Sequence, residues 1–411
     1  MNRLPFRRHD GRGAVVREPL GREVLVLGGV AFFVMLGFGV VIPVLPVYVR
    51  SFGVGYLEVG AVVSVFALMR LIANPFVGML VDRLGERVVL ASGIGIVAVS
   101  SAFVGLAADY PQLLLLRGVG GIGSAMFSVA AMTLLLRTTM PHRRGRAVGF
   151  YQGGFLVGGM AGPAIGGLLA TISLTAPFFF YAGTLAVAGT LGLVMLRRSL
   201  VASPDDEPRA PELFRVVLRD RRYQAALLAN FATGWASMGV RGALVPVLVV
   251  ESLHREASWT GIAFAIAAVA QTLALVPAGR FVDTVGRRPA MLVAFPIAAL
   301  ALLAMPFVGE LWMLIIVLCV YGVAAAFLGT APAAAVGDAA GGRGGRAVAV
   351  FQATADLGAI VGPLVAGALL DAFSFPAAFG SAVVLMLLVP VLAARMPKEP
   401  RARTVAPSAA V

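Results

Sequence analysis

The chain has 411 residues, 59% of them hydrophobic and 13% charged, with a formal net charge of +13. That balance excludes an ordinary soluble domain. One cysteine, Cys319, leaves no intramolecular disulfide, and His9, His142 and His254 all fall in tails or loops, so no metal centre or other cofactor is expected.

Twelve apolar stretches follow one another, beginning near positions 23, 56, 88, 110, 147, 177, 223, 258, 288, 310, 346 and 375. Each is about 20 residues or longer, enough to cross a bilayer core of about 30 Å as a helix. The expected fold is therefore an all-α membrane protein. Arg3, Arg7, Arg8, Arg12, Arg17 and Arg22 precede the first stretch as a basic leader would. The apolar run 24–49 is too long for a leader and lacks a small-residue cleavage pattern, so a retained span is expected.

The second span ends in "GMLVDRLGER" from Gly78, the fourth contains "RGVGGIG" from Arg117, and the fifth is "RAVGFYQGGFLVGGMAGPAIGG" from Arg146. In that fifth span Gly154, Gly158, Gly162 and Gly166 recur every four residues and form one smooth ridge suited to close helix approach. Pro163 removes a backbone hydrogen bond within the ridge, so the helix is able to bend there. The polar segment "RRSLVASPDDEPRAPELFRVVLRDRR" separates the sixth and seventh spans and reads as a linker. The resulting boundaries are a tail 1–22, a six-helix bundle 23–197, a linker 198–222, a second bundle 223–395 and a tail 396–411.

The second bundle repeats the first. A shift of 200 lays "RAVGFYQGGFLVGGMAGP" on "RAVAVFQATADLGAIVGP", so that Gly162 and Pro163 fall on Gly362 and Pro363. A shift of 201 lays "GMLVDRLGER" on "GRFVDTVGRR" from Gly279. Parallel six-helix repeats are a transporter architecture with the substrate site between the halves.

Charge sets the expected orientation. Of 33 basic residues, 28 lie in the tails or in the connections after even-numbered spans. The positive-inside rule then puts both termini in the cytoplasm, and attraction to anionic membrane lipid accounts for the excess of positive charge. Nucleic-acid binding is not expected. Four ionisable groups stand inside spans, Arg70, Arg117, Arg241 and Asp356, where each costs about 2.5–3.5 kcal/mol at the helix centre and marks function by default. No nucleophile with a base stands beside them, so an enzyme is not expected.

These motifs resemble those of the major facilitator superfamily over essentially the whole chain. "GMLVDRLGER" and "GRFVDTVGRR" look like its motif A, "RGVGGIG" like motif B, and the fifth span like motif C, which marks proton-driven antiporters exporting drugs and related compounds. Glu86 departs from motif A, where arginine is commoner. The resemblance implies two six-helix bundles related by a pseudo-twofold axis, with the second helix facing the eleventh and the eighth facing the fifth, so the glycine ridge of the fifth helix is expected at one seam between the bundles. It also implies alternating access by a monomer.

On that arrangement Asp82 and Asp283, with Arg83 and Arg287 beside them, form a conformational latch against the starts of the eleventh and fifth helices, whose free N–H groups favour a carboxylate. Arg70 and Asp356 stand at similar depth and are expected to pair, with Asp356 as the proton carrier; a permanent structural ion pair is the other reading. The repeat replaces them by Gln271 and Leu156, so the charged pair occurs once. Arg117 matches an arginine that the family associates with proton transfer. The implied cavity, between the first, fourth, seventh and tenth helices, would draw on Arg241, Asn230, Trp235, Phe127 and Tyr321, with Arg241 either contacting substrate or snorkelling outward. Few polar groups line it, so an amphipathic organic substrate is expected, neutral or anionic, with uptake of an organic acid or other nutrient as the alternative to export.

Overall fold

A computed structural model describes residues 21–140, 143–196, 216–340 and 345–397. The expected tails and linker lie largely outside these residues. Among the described residues, twelve helices are long and apolar enough to span a membrane: α1 Arg22–Val41, α2 Tyr56–Leu84, α3 Glu86–Val104, α4 Tyr110–Thr138, α5 Arg146–Ala170, α6 Ala176–Met195, α7 Arg221–Ser252, α8 Ser258–Thr284, α9 Arg287–Phe307, α10 Leu311–Ala339, α11 Ala347–Ala372 and α12 Phe375–Ala393. In hydrocarbon every backbone N–H and C=O must be paired within the chain, and uninterrupted helices satisfy that requirement. Large side chains such as Phe76, Leu115, Leu273 and Leu300 remain exposed on their outer faces, as lipid-facing spans require.

The helices form two bundles with matching neighbours. In the first, α1 packs on α5 and α6, α2 on α4, and α3 on α4 and α6; in the second, α7 packs on α11 and α12, α8 on α10, and α9 on α10 and α12. Each bundle has its own apolar core, centred on residues such as Leu27, Leu134 and Phe178 in one and Tyr223, Phe295 and Phe379 in the other. The bundles meet along two seams, α2 against α11 and α5 against α8.

Local chemistry sets the helix ends. Asp109 caps α4 by accepting from the Gln112 N–H at 2.8 Å, and Asp220 caps α7 by accepting from the Arg222 N–H at 2.7 Å. The α2–α3 and α8–α9 turns run through Gly85 at φ 82° and Gly286 at φ 115°, conformations that glycine adopts without strain. These turns lie on one face of the molecule with Arg83, Arg87, Arg137, Arg287 and Arg288. We call it the basic face, and the face with the α1–α2 and α7–α8 connections the opposite face.

The glycine ridge of α5 packs in a different place from the one its spacing suggested. Read from the sequence, it belongs at a seam between the bundles; in the structure it faces α1 within the first bundle. A Cβ at Gly154 would collide with the Gly28 carbonyl, one at Gly158 with the Phe32 carbonyl, and one at Gly166 with the Val40 carbonyl, while Gly162 abuts Gly39. The α11 copy does the same on α7, with Gly358 against Phe231 and Gly362 against Trp235. Spacing fixes which residues share a face, but not which neighbour that face meets. Contact of α5 with α8 instead uses Pro163 and Gly167 against Gly261, and Met160 accepting at Sδ from the Thr272 hydroxyl at 3.0 Å. Gly158→Leu forces α1 and α5 apart and is expected to destabilise the first bundle by about 1–3 kcal/mol, read as a lowered melting temperature in detergent.

Candidate functional site

The seam between α2 and α11 carries the charged pair. The Arg70 guanidinium donates from Nη2 to Asp356 Oδ1, joining the two bundles within the membrane span. Nearer the opposite face, the Ser64 hydroxyl donates to the Ile360 carbonyl at 2.6 Å, and Gly60 and Gly367 let the backbones of Pro363 and Tyr56 approach. Along this seam the Arg70–Asp356 pair is the last polar contact among the described residues towards the basic face. Gln271 and Leu156 take the equivalent places at the α5–α8 seam and border a cavity.

Two large cavities lie between the bundles among the described residues, beside a small one of about 40 Å³ bordered by Ile42, Pro46, Arg117 and Gly242. One, of about 410 Å³, is walled by α1, α5, α7, α8 and α10 and includes Gln152, Arg241, Phe264, Gln271 and Tyr321. The other, of about 290 Å³, is walled mainly by α1, α2 and α4 and includes Phe66, Arg70, Arg117, Phe127 and Tyr181. Met35, Phe155 and Met238 border both, so the two are lobes of one region. Helices of the seams contribute as much wall as α1, α4, α7 and α10. No carboxylate lines either lobe among the described residues.

Arg117 and Arg241 each stand in a lobe. The Arg117 guanidinium lies 4.5 Å from the centroid of the Phe66 ring, and its side chain is 6% exposed. Arg241 lies 5.1 Å from the centroid of Phe264 and 5.9 Å from that of Tyr321. Ring faces stabilise a cation but do not neutralise it. The Nε of both arginines is buried without a hydrogen-bond partner, and so is the Tyr321 hydroxyl. Arg241 belongs to a π-helical stretch, Trp235–Gly242, a widened turn of the kind that frequently marks functional sites. Arg241 therefore faces the cavity rather than snorkelling outward.

Two expected cavity residues serve other purposes. The Asn230 amide donates to the Phe351 carbonyl at 2.6 Å, and Trp235 donates from Nε1 to the Ser381 hydroxyl at 3.2 Å while packing against Gly362. Both tie α7 to α11 and α12, which takes their polar groups away from the lobes. Phe127 and Tyr321 do line lobes.

On the basic face, Asp82 and Arg287 make ion pairs within their own bundles among the described residues. Asp82 is 72% exposed and lies 3.6 Å from Arg137 of its own bundle. Arg83 and Asp283 are exposed. Arg287 meets Asp338 at 2.9 Å, again within one bundle. That contact is the repeat-related counterpart of the Glu86–Arg137 ion pair, with the signs exchanged. A shift of 201 carries Glu86 to Arg287 and Arg137 to Asp338. The departure of Glu86 from motif A is thus compensated on α4, and Glu86 is buried in the process.

The opposite face is where the bundles are joined. Glu251 accepts from Arg50 Nε at 2.8 Å and from the Tyr56 hydroxyl, while Arg50 stacks 4.3 Å from the Tyr56 ring centroid. Asp371 accepts from the N–H groups of Tyr56 at 2.9 Å and Leu57 at 2.7 Å, capping α2 from α11. Burial lowers the Arg50 pKa, but the hydrogen bond and charge of Glu251 more than offset it and hold the guanidinium above its usual range. The sequence reading missed this network, whose members are 195 to 315 residues apart.

Two repeated bundles with cavities at their interface are the architecture of a secondary transporter. The Major Facilitator Superfamily profile matches residues 27–248 and 226–410, and the chain belongs to that superfamily. It is 29% identical over 362 residues to the multidrug resistance protein MdtG of Enterobacter lignolyticus, covering 85% of each chain. It is 31% identical over 186 residues to the quinolone resistance protein NorA of Staphylococcus aureus, but that match spans 45% of this chain and only 46% of NorA. Among solved structures, a bacterial homologue of the human lysosomal transporter Spinster, inward-facing and unoccupied, superposes with a TM-score of 0.76 at 17% identity, over 90% of this chain and 95% of the other. The nucleoside transporter NupG gives 0.69 at 16% identity, over 90% of this chain and 98% of the other. At such identities these structures speak for the fold alone. The family and fold are those of transporters, not enzymes.

Proposed function

We propose that the protein is a proton-coupled antiporter that exports an amphipathic organic compound across the cell membrane by alternating access, acting as a monomer with both termini in the cytoplasm. The observation that carries this reading is the Arg70–Asp356 pair, which bridges the bundles with Arg70 at the wall of a largely apolar cavity. Arginine stays charged, so the proton is taken up by Asp356. Protonation removes the negative partner and loosens the α2–α11 seam, biasing the balance between the two access states. Arg117, in the same lobe as Arg70, supplies a fixed positive charge beside that route.

Basic residues on the face bearing the α2–α3 turn support its assignment as cytoplasmic. With the bundles joined at the opposite face, the structure corresponds on this reading to the inward-facing state. Asp82, Arg83, Asp283 and Arg287 would close the cytoplasmic side in the alternate state. The names of MdtG and NorA support export of drug-like compounds. Uptake of an organic acid is the second reading, favoured by Arg117 and Arg241 facing lobes that no carboxylate lines. Inverted membrane vesicles energised by a proton gradient separate the two: export predicts gradient-dependent accumulation of norfloxacin, a quinolone. Accumulation only in right-side-out vesicles supports uptake, and none in either refutes proton-driven transport of this compound class.

A further inference from the structure

We infer that the larger lobe is an anion site, in which Arg241 and Tyr321 together bind the carboxylate of an amphipathic organic acid. The inference rests on reading the lobes as the substrate path and specifies what that path takes. Its basis is a pair of orphaned donors converging on one cavity. Arg241 Nε and the Tyr321 hydroxyl are both buried without partners, and both side chains line the same lobe. Tyr321 is only 3% exposed, so bulk water does not satisfy its hydroxyl. A buried donor left unpaired is destabilising, the more so when charged, so a ligand that satisfies both recovers that cost on binding.

The missing partner is an acceptor carrying negative charge. A cation would meet Arg241 with no acid on the walls to offset it. A neutral acceptor would satisfy the hydrogen bonds but leave the guanidinium uncompensated in a low-dielectric site. A carboxylate does both, presenting two oxygens to Nε–H and to the phenolic O–H, with the bond to a charged donor the stronger. Gln152, Gln271 and Thr272 supply polar wall nearby, while Met35, Phe155 and Met238 lead an apolar body towards the second lobe. Arg70 borders that second lobe and not the first, so the ligand carboxylate and Asp356 have different cationic partners.

The test is binding of matched acids and amides to the purified full-length protein in lipid nanodiscs near neutral pH. Nalidixic acid and dansylglycine each carry one carboxylate and no basic amine; their carboxamides keep shape and lose charge. Both acids are expected to bind about tenfold or more tighter than their amides, the equivalent of about 1.4 kcal/mol. Arg241→Gln should remove the preference, Arg241→Lys should keep part of it, and Tyr321→Phe should reduce it, with monodisperse elution establishing that each variant is folded. Equal binding of acid and amide, no saturable binding of either acid, or an undiminished preference in Arg241→Gln overturns the anion site. Vesicle flux keeps the two proposals apart: acid-selective binding without gradient-driven flux refutes the transport reading and leaves the site standing.

Discussion

Asp356→Asn is expected to leave the protein folded and able to exchange norfloxacin while abolishing gradient-driven accumulation. The change is nearly isosteric and keeps a hydrogen-bond acceptor opposite Arg70, but it removes the titratable group. If one proton is coupled per cycle, a gradient of about one pH unit sustains about a tenfold accumulation, because a unit corresponds to about 1.4 kcal/mol. In the variant the accumulation ratio falls to about 1 whatever the gradient, whereas Asp356→Glu retains coupling. Full accumulation in Asp356→Asn vesicles would leave the Arg70–Asp356 contact a structural ion pair only.

The second large effect belongs to the opposite face. Glu251→Gln combined with Asp371→Asn removes both carboxylates that join the bundles there. The amides keep an acceptor oxygen and the sites are partly exposed, so the combined loss is that of about one charge-assisted hydrogen bond, about 1.5–3 kcal/mol. A shift of that size moves a two-state equilibrium by about tenfold or more towards opening at this face. Ile42 lines the larger lobe, so Ile42→Cys in a Cys319→Ala background reports the change. Labelling by a membrane-impermeant thiol reagent from the opposite face should rise about tenfold. Unchanged labelling means that the close backbone packing, such as Gly60 against Pro363, and the Ser64–Ile360 hydrogen bond hold that face shut without the carboxylates.

Much of this architecture was legible in the sequence because the bilayer imposes it. Span positions follow from apolar run length, and the starts of the helices fall within about two residues of those read from composition. The internal repeat fixed which helices correspond, and similar depth along α2 and α11 paired Arg70 with Asp356 once the family resemblance set those two helices face to face. What escaped was whatever depends on the partner rather than on the helix itself. The spacing of Gly154, Gly158, Gly162 and Gly166 defines a ridge, yet α1 and α8 were equally available to meet it. Asn230 and Trp235 stand on an expected cavity helix, but short-range tertiary bonds turn them towards α11 and α12. The π-helical stretch that carries Arg241 has no local signal in "WASMGVRG". Glu86 departs from motif A in isolation, and only its partner Arg137 and the sign-reversed Arg287–Asp338 pair account for it. The repeat alignment held that signal, since both members shift by the same 201 residues.

Alternating access with proton exchange is tested most directly by measuring both fluxes in one preparation. The purified protein is reconstituted into liposomes containing a pH-sensitive dye, with no imposed pH gradient, and a norfloxacin gradient is applied across the membrane. Antiport predicts that protons move against the quinolone flow, so the internal pH rises as quinolone enters and falls as it leaves, and that Asp356→Asn liposomes show quinolone movement without the pH change. Quinolone flux in the wild-type protein with no proton movement, or with protons moving in the same direction, would contradict it.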